Sequence, residues 1–351
     1  MILADILDSG VFGADAAHLP TGALWAIAAG AMVLLLFGAD RVVAAAVKLA
    51  KAMHVPTVII GATIVSLGTT MPEACVSVMA AFRGDPGLAL GNGVGSIICD
   101  TAMIFGLCCC IARLPMDKYV LNRLGWVKLA CGLLLVVIVV VGAVAAGGME
   151  EVTIQRRTGV GLLALLGIYM YMSFRWSRSH PQLIPARATA EGKQTHVWAR
   201  ALINLGVLAV GLGMVVLGSD GLIGTVRELG GRYGVPDHVM AATLVAFGTS
   251  LPELATALAS IKRGHPGLLV GNIIGADILN VLFVIGAAAT ASPLAVPRLF
   301  FTLHLPVMMV GLMFLQGCIV FNRRTFKRWQ GVPLLGVYVW YIFRLVALRQ
   351  F

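Results

Sequence analysis

The chain has 351 residues, 59% of them hydrophobic and only 12% charged, with mean hydropathy +0.92 and a formal net charge of +10. Apolar runs of about twenty residues, long enough to cross a bilayer, recur from end to end, which excludes a soluble domain. The positive charge points to no nucleic-acid partner, because the Lys and Arg residues collect in short loops between apolar runs, as membrane topology requires.

The first nineteen residues hold no Lys or Arg, so the basic start of a cleavable signal peptide is missing. Ten spans are then predicted, near 20–44, 57–82, 88–112, 124–146, 157–175, 199–224, 237–261, 268–291, 297–320 and 330–348. The first and sixth can run on as longer helices toward 50 and 230. Span 1 carries Gly38 and Asp40 at its end, and Asp40, like Asp220 in span 6, is expected to be a solvated or capping group. Span 2 contains SLGTTMPE (66–73), where lipid alone would favour leucine. An ionised carboxylate at mid-bilayer costs several kcal/mol unless it is paired or hydrated (about 2.5–3.5 kcal/mol or more). No Lys or Arg stands near Glu73 in its own span, so a mobile cation is its expected partner. On a helix, Thr69, Thr70 and Glu73 share one face, and Ser66 extends it by a turn. Pro72 lacks an N–H and leaves the Gly68 carbonyl without its helical donor.

Span 3 places Asn92, Ser96 and Asp100 on one polar stripe. Its Cys108, Cys109 and Cys110 lack metal-site spacing and read as small apolar side chains, as do most of the seven cysteines. After spans 4 and 5 comes the one long polar loop, 176–198. It divides the chain into an N-terminal segment (1–19), a first five-helix half (20–175), the loop, and a second half (199–351). Span 7 contains AFGTSLPE (246–253), repeating the pattern with Thr249, Ser250 and Glu253, and Pro252 frees the Gly248 carbonyl. Span 8 holds Asn272, Ala276, Asp277 and Asn280. The glycines Gly91, Gly95, Gly271 and Gly275 suit close helix approach. In span 9, His304 is expected to be a lone packed residue, and Arg328-Trp329 ahead of span 10 an interfacial anchor.

With residue 57 set under 237, 17 of 50 positions are identical without a gap. The offset of 180 pairs Glu73 with Glu253, RGDPGL (83–88) with RGHPGL (263–268), and GNGVGS (91–96) with GNIIGA (271–276). Five spans per half make the second half enter from the opposite side, an inverted-topology repeat. Of the 26 Lys and Arg, 18 fall after odd-numbered spans and 8 on the other side. The expected orientation has both termini outside and the 176–198 loop in the cytoplasm, in a plasma or inner membrane. Hydroxyls, freed carbonyls and carboxylates are hard oxygen ligands that suit Na⁺ and Ca²⁺.

At these residues the chain resembles the sodium/calcium exchanger family of calcium:cation antiporters, through GATIVSLGTTMPE…GNGVGSIICD and AATLVAFGTSLPE…GNIIGADILN. The resemblance implies an all-α membrane fold of ten transmembrane helices in two inverted five-helix repeats. Four central helices would carry the ions, and two long tilted helices would slide across them. It implies that Glu73 and Glu253 share Ca²⁺ and Na⁺. Thr69, Thr70, Thr249, Ser250 and Ser96 supply hydroxyl or backbone ligands, and Ser66 and Ala246 supply carbonyl ligands. It implies no cofactor and a functional monomer. Three positions depart from the family pattern. Asp100 and Asn280 exchange the usual amide and acid, which still leaves one of each. Ala276 removes a hydroxyl from an outer sodium position, and Asp277 either offsets part of that loss or points elsewhere.

The resulting expectation is secondary Ca²⁺/Na⁺ antiport by alternating access, and no enzymatic activity. The nearest alternative is a proton-coupled exchanger of Ca²⁺ or another divalent cation on the same scaffold, which Ala276 favours mildly. A passive cation channel suits duplicated broken helices less well than a carrier. An intramembrane hydrolase using Glu73 and Asp100 lacks a metal-ligand His motif or a nucleophile–base pattern.

Overall fold

The computed structural model describes residues 18–53, 55–148, 152–178, 197–234, 248–322 and 324–348. The protein is a mostly helical, polytopic membrane protein. In chain order the helices are α1 (Thr21–Met53), α2 (Thr57–Thr69), α3 (Met71–Phe82), α4 (Pro86–Ile111), α5 (Lys118–Ala146), α6 (Arg156–Arg178), α7 (Val197–Arg232), α8 (Leu251–Lys262), α9 (Pro266–Ala291), α10 (Phe300–Phe321) and α11 (Gly331–Leu348). Among the described residues, six are long and apolar enough to cross a membrane, and a seventh if the bent pair α2–α3 is one span. The start of the seventh predicted span falls in 235–247, outside the described residues.

The two longest helices run past the predicted ends, as the sequence allowed, to Met53 and Arg232. They cross antiparallel. Arg232 donates to Thr21, Leu229 packs on Leu24, and farther along Gly218 meets Leu35 and Gly211 meets Val42. The seam is built on missing side chains. A Cβ on Gly38 would stand 2.9 Å from the Gly211 carbonyl oxygen and 3.0 Å from the Val215 nitrogen. A Cβ on Gly218 would stand 2.8 Å from the Ala31 oxygen and 2.6 Å from the Leu35 nitrogen. At the offset of 180 these are the same contacts made twice.

Two short loop pairings share that reciprocity. The loop after α4 touches the loop after α10 through the bridge Pro115–Thr325. The loop after α9 touches the loop after α5 through the antiparallel strands β1 (Thr153–Ile154) and β2 (Leu294–Ala295). Pro115 and Ala295 are again 180 apart.

Helices α4 and α9 form the centre of the molecule, with 83% and 94% of their most apolar windows buried against α5's 22%. Each contains a π-helical turn at the equivalent place, Cys99–Ile104 and Asn280–Ile285. Helix α2 lies on α9 through small residues. A Cβ on Gly271 would collide with the Val58 carbonyl, and one on Gly275 with Ala62 and Ser66 Oγ. Gly91 and Gly95, expected to serve likewise, have no described residue within 4 Å of where a Cβ would stand.

Two expectations change. Asp40 is not simply a solvated cap: its carboxylate accepts two hydrogen bonds of 2.6 Å from Arg263 in the α8–α9 loop. Residues so far apart in sequence gave no local signal for that pair. His304 is buried but not alone, with Nδ1 2.8 Å from the Tyr341 hydroxyl and its ring against Phe300.

Candidate functional site

The chain breaks where the sequence placed its polar motif. Helix α2 ends at Thr69, Thr70 caps it, and α3 restarts at Met71 with Pro72 in its first turn, bent by 43°. Proline is tolerated there because first-turn N–H groups have no intrahelical acceptor. In the second half, Thr249 and Ser250 form the turn and α8 begins at Leu251 with Pro252. The single continuous face expected for Thr69, Thr70 and Glu73 is therefore interrupted: Thr69 closes one helix, and Glu73 lies in the first turn of the next. Glu253 occupies the matching place in α8. Both carboxylates thus sit at helix N-termini, where backbone dipoles favour negative charge.

These groups are shut away from the surface. Glu73, Glu253, Asp100, Ser96, Ser250 and Asn280 are each 1% exposed, and Ser66, Thr69 and Thr70 are fully buried. Thr249 is half-buried, and Ala246 lies outside the described residues. The acids share one electrostatic neighbourhood. Glu73 feels the charges of Glu253 and Asp100, and Asp100 feels Glu253 and Asp277. The Glu253 carboxylate faces Thr69 and Thr70, and the Asp100 carboxylate faces Ser250, without closing a hydrogen bond to them.

An amide frame holds the cluster. Asn92 donates from Nδ2 to the Glu73 carbonyl and to Ser77 Oγ, both at 3.0 Å, while its Oδ1 stays unpartnered. Asn272 donates to Thr256 Oγ1 at 3.3 Å and stands 3.5 Å from Thr69 Oγ1. Both asparagines, readable from sequence as ligand or helix glue, tie two helices together here. The Ser66 carbonyl, expected as a ligand, stays in the helical ladder and accepts from the Thr70 N–H at 2.9 Å. Tyr169 of α6 donates to the Ala62 carbonyl at 2.7 Å, within the π-helical stretch Gly61–Val65, a partner no local pattern announced.

Ten buried oxygens in this neighbourhood have no hydrogen-bond partner among the described residues: Thr70 Oγ1, Glu73 Oε2, Asn92 Oδ1, Ser96 Oγ, both Asp100 oxygens, Ser250 Oγ, both Glu253 oxygens and Asn280 Oδ1. A buried polar atom left unpaired costs about 1–3 kcal/mol, and more when charged. A fold that keeps so many unpaired oxygens together is organised for something that binds oxygen. Among the described residues no three His, Cys, Asp or Glu side chains approach closely enough to hold a metal ion by themselves. A cation here must therefore draw hydroxyl and amide oxygens into its shell, as hard cations do.

Asp277 stands apart. Its Oδ2 accepts from Thr101 at 2.5 Å, and its Oδ1 has no partner. The charge acting most strongly on the buried Lys128 of α5 is the Asp277 carboxylate. The count of bases by side puts Lys128 with those that follow span 3; the structure buries it in α5 instead.

Residues 23–175 and 203–347 match the family model described as sodium/calcium exchanger protein. An uncharacterized membrane protein of Methanocaldococcus jannaschii is 31% identical over 315 residues, 88% of this chain and 93% of that one. The sodium/calcium exchanger MaX1 of Methanosarcina acetivorans is 26% identical over 88% of this chain and 94% of its own. Among solved structures, the sodium-calcium exchanger NCX_Mj soaked with 2.5 mM Na⁺ and 10 mM Sr²⁺ superposes with a TM-score of 0.76 at 26% identity, covering 92% of this chain and 99% of its own.

Proposed function

The chain belongs to the sodium/calcium exchanger family and is an antiporter of Ca²⁺ and Na⁺, and from that premise we propose how its residues perform the exchange. One central cluster serves both ions. Glu73, Glu253 and Asp100 supply charge, and Asn280, Ser96, Thr69, Thr70, Thr249 and Ser250 supply neutral oxygens, joined by carbonyls at Ser66 and Ala246. Three buried carboxylates that feel one another's charge cannot all stay ionised and bare in a low dielectric. Either Ca²⁺ or several Na⁺ compensate them, and occupancy by one excludes the other. The helices exchange sides only when that charge is balanced, so flux of one ion is tied to counterflux of the other.

The scaffold we propose has ten transmembrane helices in two inverted five-helix repeats, 20–175 and 199–351, joined by a cytoplasmic 176–198 loop. Both termini lie outside a plasma or inner membrane. The duplicated motifs, the antiparallel α1–α7 seam and the reciprocal loop pairings support it. Alternating access then consists of α1 and α7 moving as a pair across the central helices. A monomer suffices, because one chain supplies both halves of the cluster.

The set of orphaned buried oxygens at the two helix breaks and on α4 and α9 carries this reading. Its test is ⁴⁵Ca²⁺ uptake into proteoliposomes under imposed Na⁺, K⁺ and H⁺ gradients. The Na⁺ gradient alone is expected to drive uptake; uptake driven equally by a pH gradient would transfer the coupling to protons. Glu73→Gln and Glu253→Gln are each expected to lower the Na⁺-driven rate at least tenfold, and full rates in both would overturn the assignment.

A further inference from the structure

Lys128 is 1% exposed and its Nζ has no hydrogen-bond partner. An isolated ammonium at membrane depth costs about 2.5–3.5 kcal/mol or more. Such residues persist when an opposite charge answers them, and the charge that acts most strongly on Lys128 is that of Asp277, 2% exposed, fixed by Thr101 and with Oδ1 still open. Neighbouring helices close the pocket. Gln316 of α10 lies over Gly125, one turn before Lys128, with both amide atoms unpartnered, and the Thr101 methyl faces Gly311.

The repeat shows that this pair is an addition. At the offset of 180, Lys128, Asp277 and Thr101 correspond to Met308, Ile97 and Val281, all apolar and each 1% exposed. The symmetric location therefore packs well without charge. The charged version sits beside one half of the ion cluster only, next to Asp100, whose carboxylate feels Asp277, and next to Ala276, which contributes no oxygen. A fourth ionised acid in that neighbourhood would call for one more monovalent cation when Na⁺ is the cargo.

We propose that Lys128 is a tethered counter-cation for Asp277: its ammonium takes the place of a transported monovalent ion, withdraws Asp277 from the liganding set, and leaves Glu73, Glu253 and Asp100 to fix how much charge moves per cycle. Lys128 is thus a positioning and stoichiometry-determining residue that touches no cargo. The inference rests on the antiport reading for its functional half, while the ion pair itself can be tested without transport.

The experiment measures the Na⁺:Ca²⁺ ratio from reversal potentials in proteoliposomes, together with the melting temperature of the purified full-length protein. Lys128→Met is expected to raise the ratio by one Na⁺ per Ca²⁺, because Asp277, Thr101 and Gln316 then offer an unfilled oxygen site. Lys128→Arg and the double variant Lys128→Met/Asp277→Asn are expected to keep the wild-type ratio. In melting, the double variant is expected to be more stable than either single one. A wild-type ratio in active Lys128→Met, or a double variant that behaves like Lys128→Met, would overturn the proposal. Should Lys128→Met not fold, the double variant decides: folded with the wild-type ratio it supports the tether, and unfolded or altered in ratio it refutes it. Absence of Na⁺-driven flux in wild-type protein would count against the antiport reading, and the melting comparison would still judge the pair.

Discussion

At the scale of single residues, the cluster distinguishes groups whose oxygens stay unpaired among the described residues from groups that hold the frame. Asp100 has two open oxygens and no backbone duty, whereas Asn92 already spends both amide protons on Glu73 and Ser77. Asp100→Asn keeps the shape and removes one negative charge, so apparent Ca²⁺ affinity is expected to fall about tenfold or more while the melting temperature holds or rises; ⁴⁵Ca²⁺ uptake against concentration and a thermal melt check both. Asn92→Leu should do the reverse first. It strands the Glu73 carbonyl and Ser77 hydroxyl, a loss of about 1–3 kcal/mol, read as a lower melting temperature before any change in ion competition. The buried acids were legible in the sequence because a membrane makes any unpaired carboxylate conspicuous. Lys128 was less legible, because the charge that acts most strongly on it stands on another helix, and such approaches are decided by packing.

At the scale of elements, the π-helical turns and the close α2–α9 contact do the positioning. The turns at Cys99–Ile104 and Asn280–Ile285 carry Asp100 and Asn280, and a π-turn shifts carbonyls out of the i→i−4 ladder. Sequence offered no cue for them, since apolar runs read alike in α and π form. It did offer the glycines. Gly271→Ala is expected to push α2 off α9, because the added methyl would overlap the Val58 carbonyl. Overpacking of this kind costs about 1–3 kcal/mol, visible as a lowered melting temperature. Ion competition should suffer too, since Thr69 on α2 and Asn272 on α9 frame the cluster. The proline-led restarts were half legible: Pro72 and Pro252 marked the disturbance, but the chain breaks two or three residues earlier, at Thr70 and at Thr249-Ser250.

At the scale of the molecule, the Asp40–Arg263 pair joins a long helix of the α1–α7 seam to a loop of the central bundle. Its side chains are 33% and 36% exposed, so its contribution to stability is at most about 1 kcal/mol despite the two-pronged geometry. Its kinetic effect can be larger, because it spans the surface across which the proposed motion occurs. Arg263→Ala is expected to leave the melting temperature within a few degrees while changing the exchange rate several-fold, and the charge-swapped Asp40→Arg/Arg263→Asp pair should recover it, as stopped-flow Ca²⁺ exchange would report. The pairing of Gly38 with Gly218 was readable from the 180-residue offset; this cross-link was not, because nothing local to Asp40 hints at a residue 223 positions away.

The crossing of α1 and α7 is self-complementary: what Gly38 does to the second half, Gly218 does to the first. A patch that fits its own copy is the hallmark of two-fold dimers. Each half thus carries the recognition surface for the other, and the covalent join through 179–196 is a convenience of assembly. Produced as two polypeptides cut in that stretch, the halves are expected to find each other and co-purify. An ancestor of half this length, inserting in both directions, could have met its twin along the same glycine seam before a gene fusion made the pair permanent.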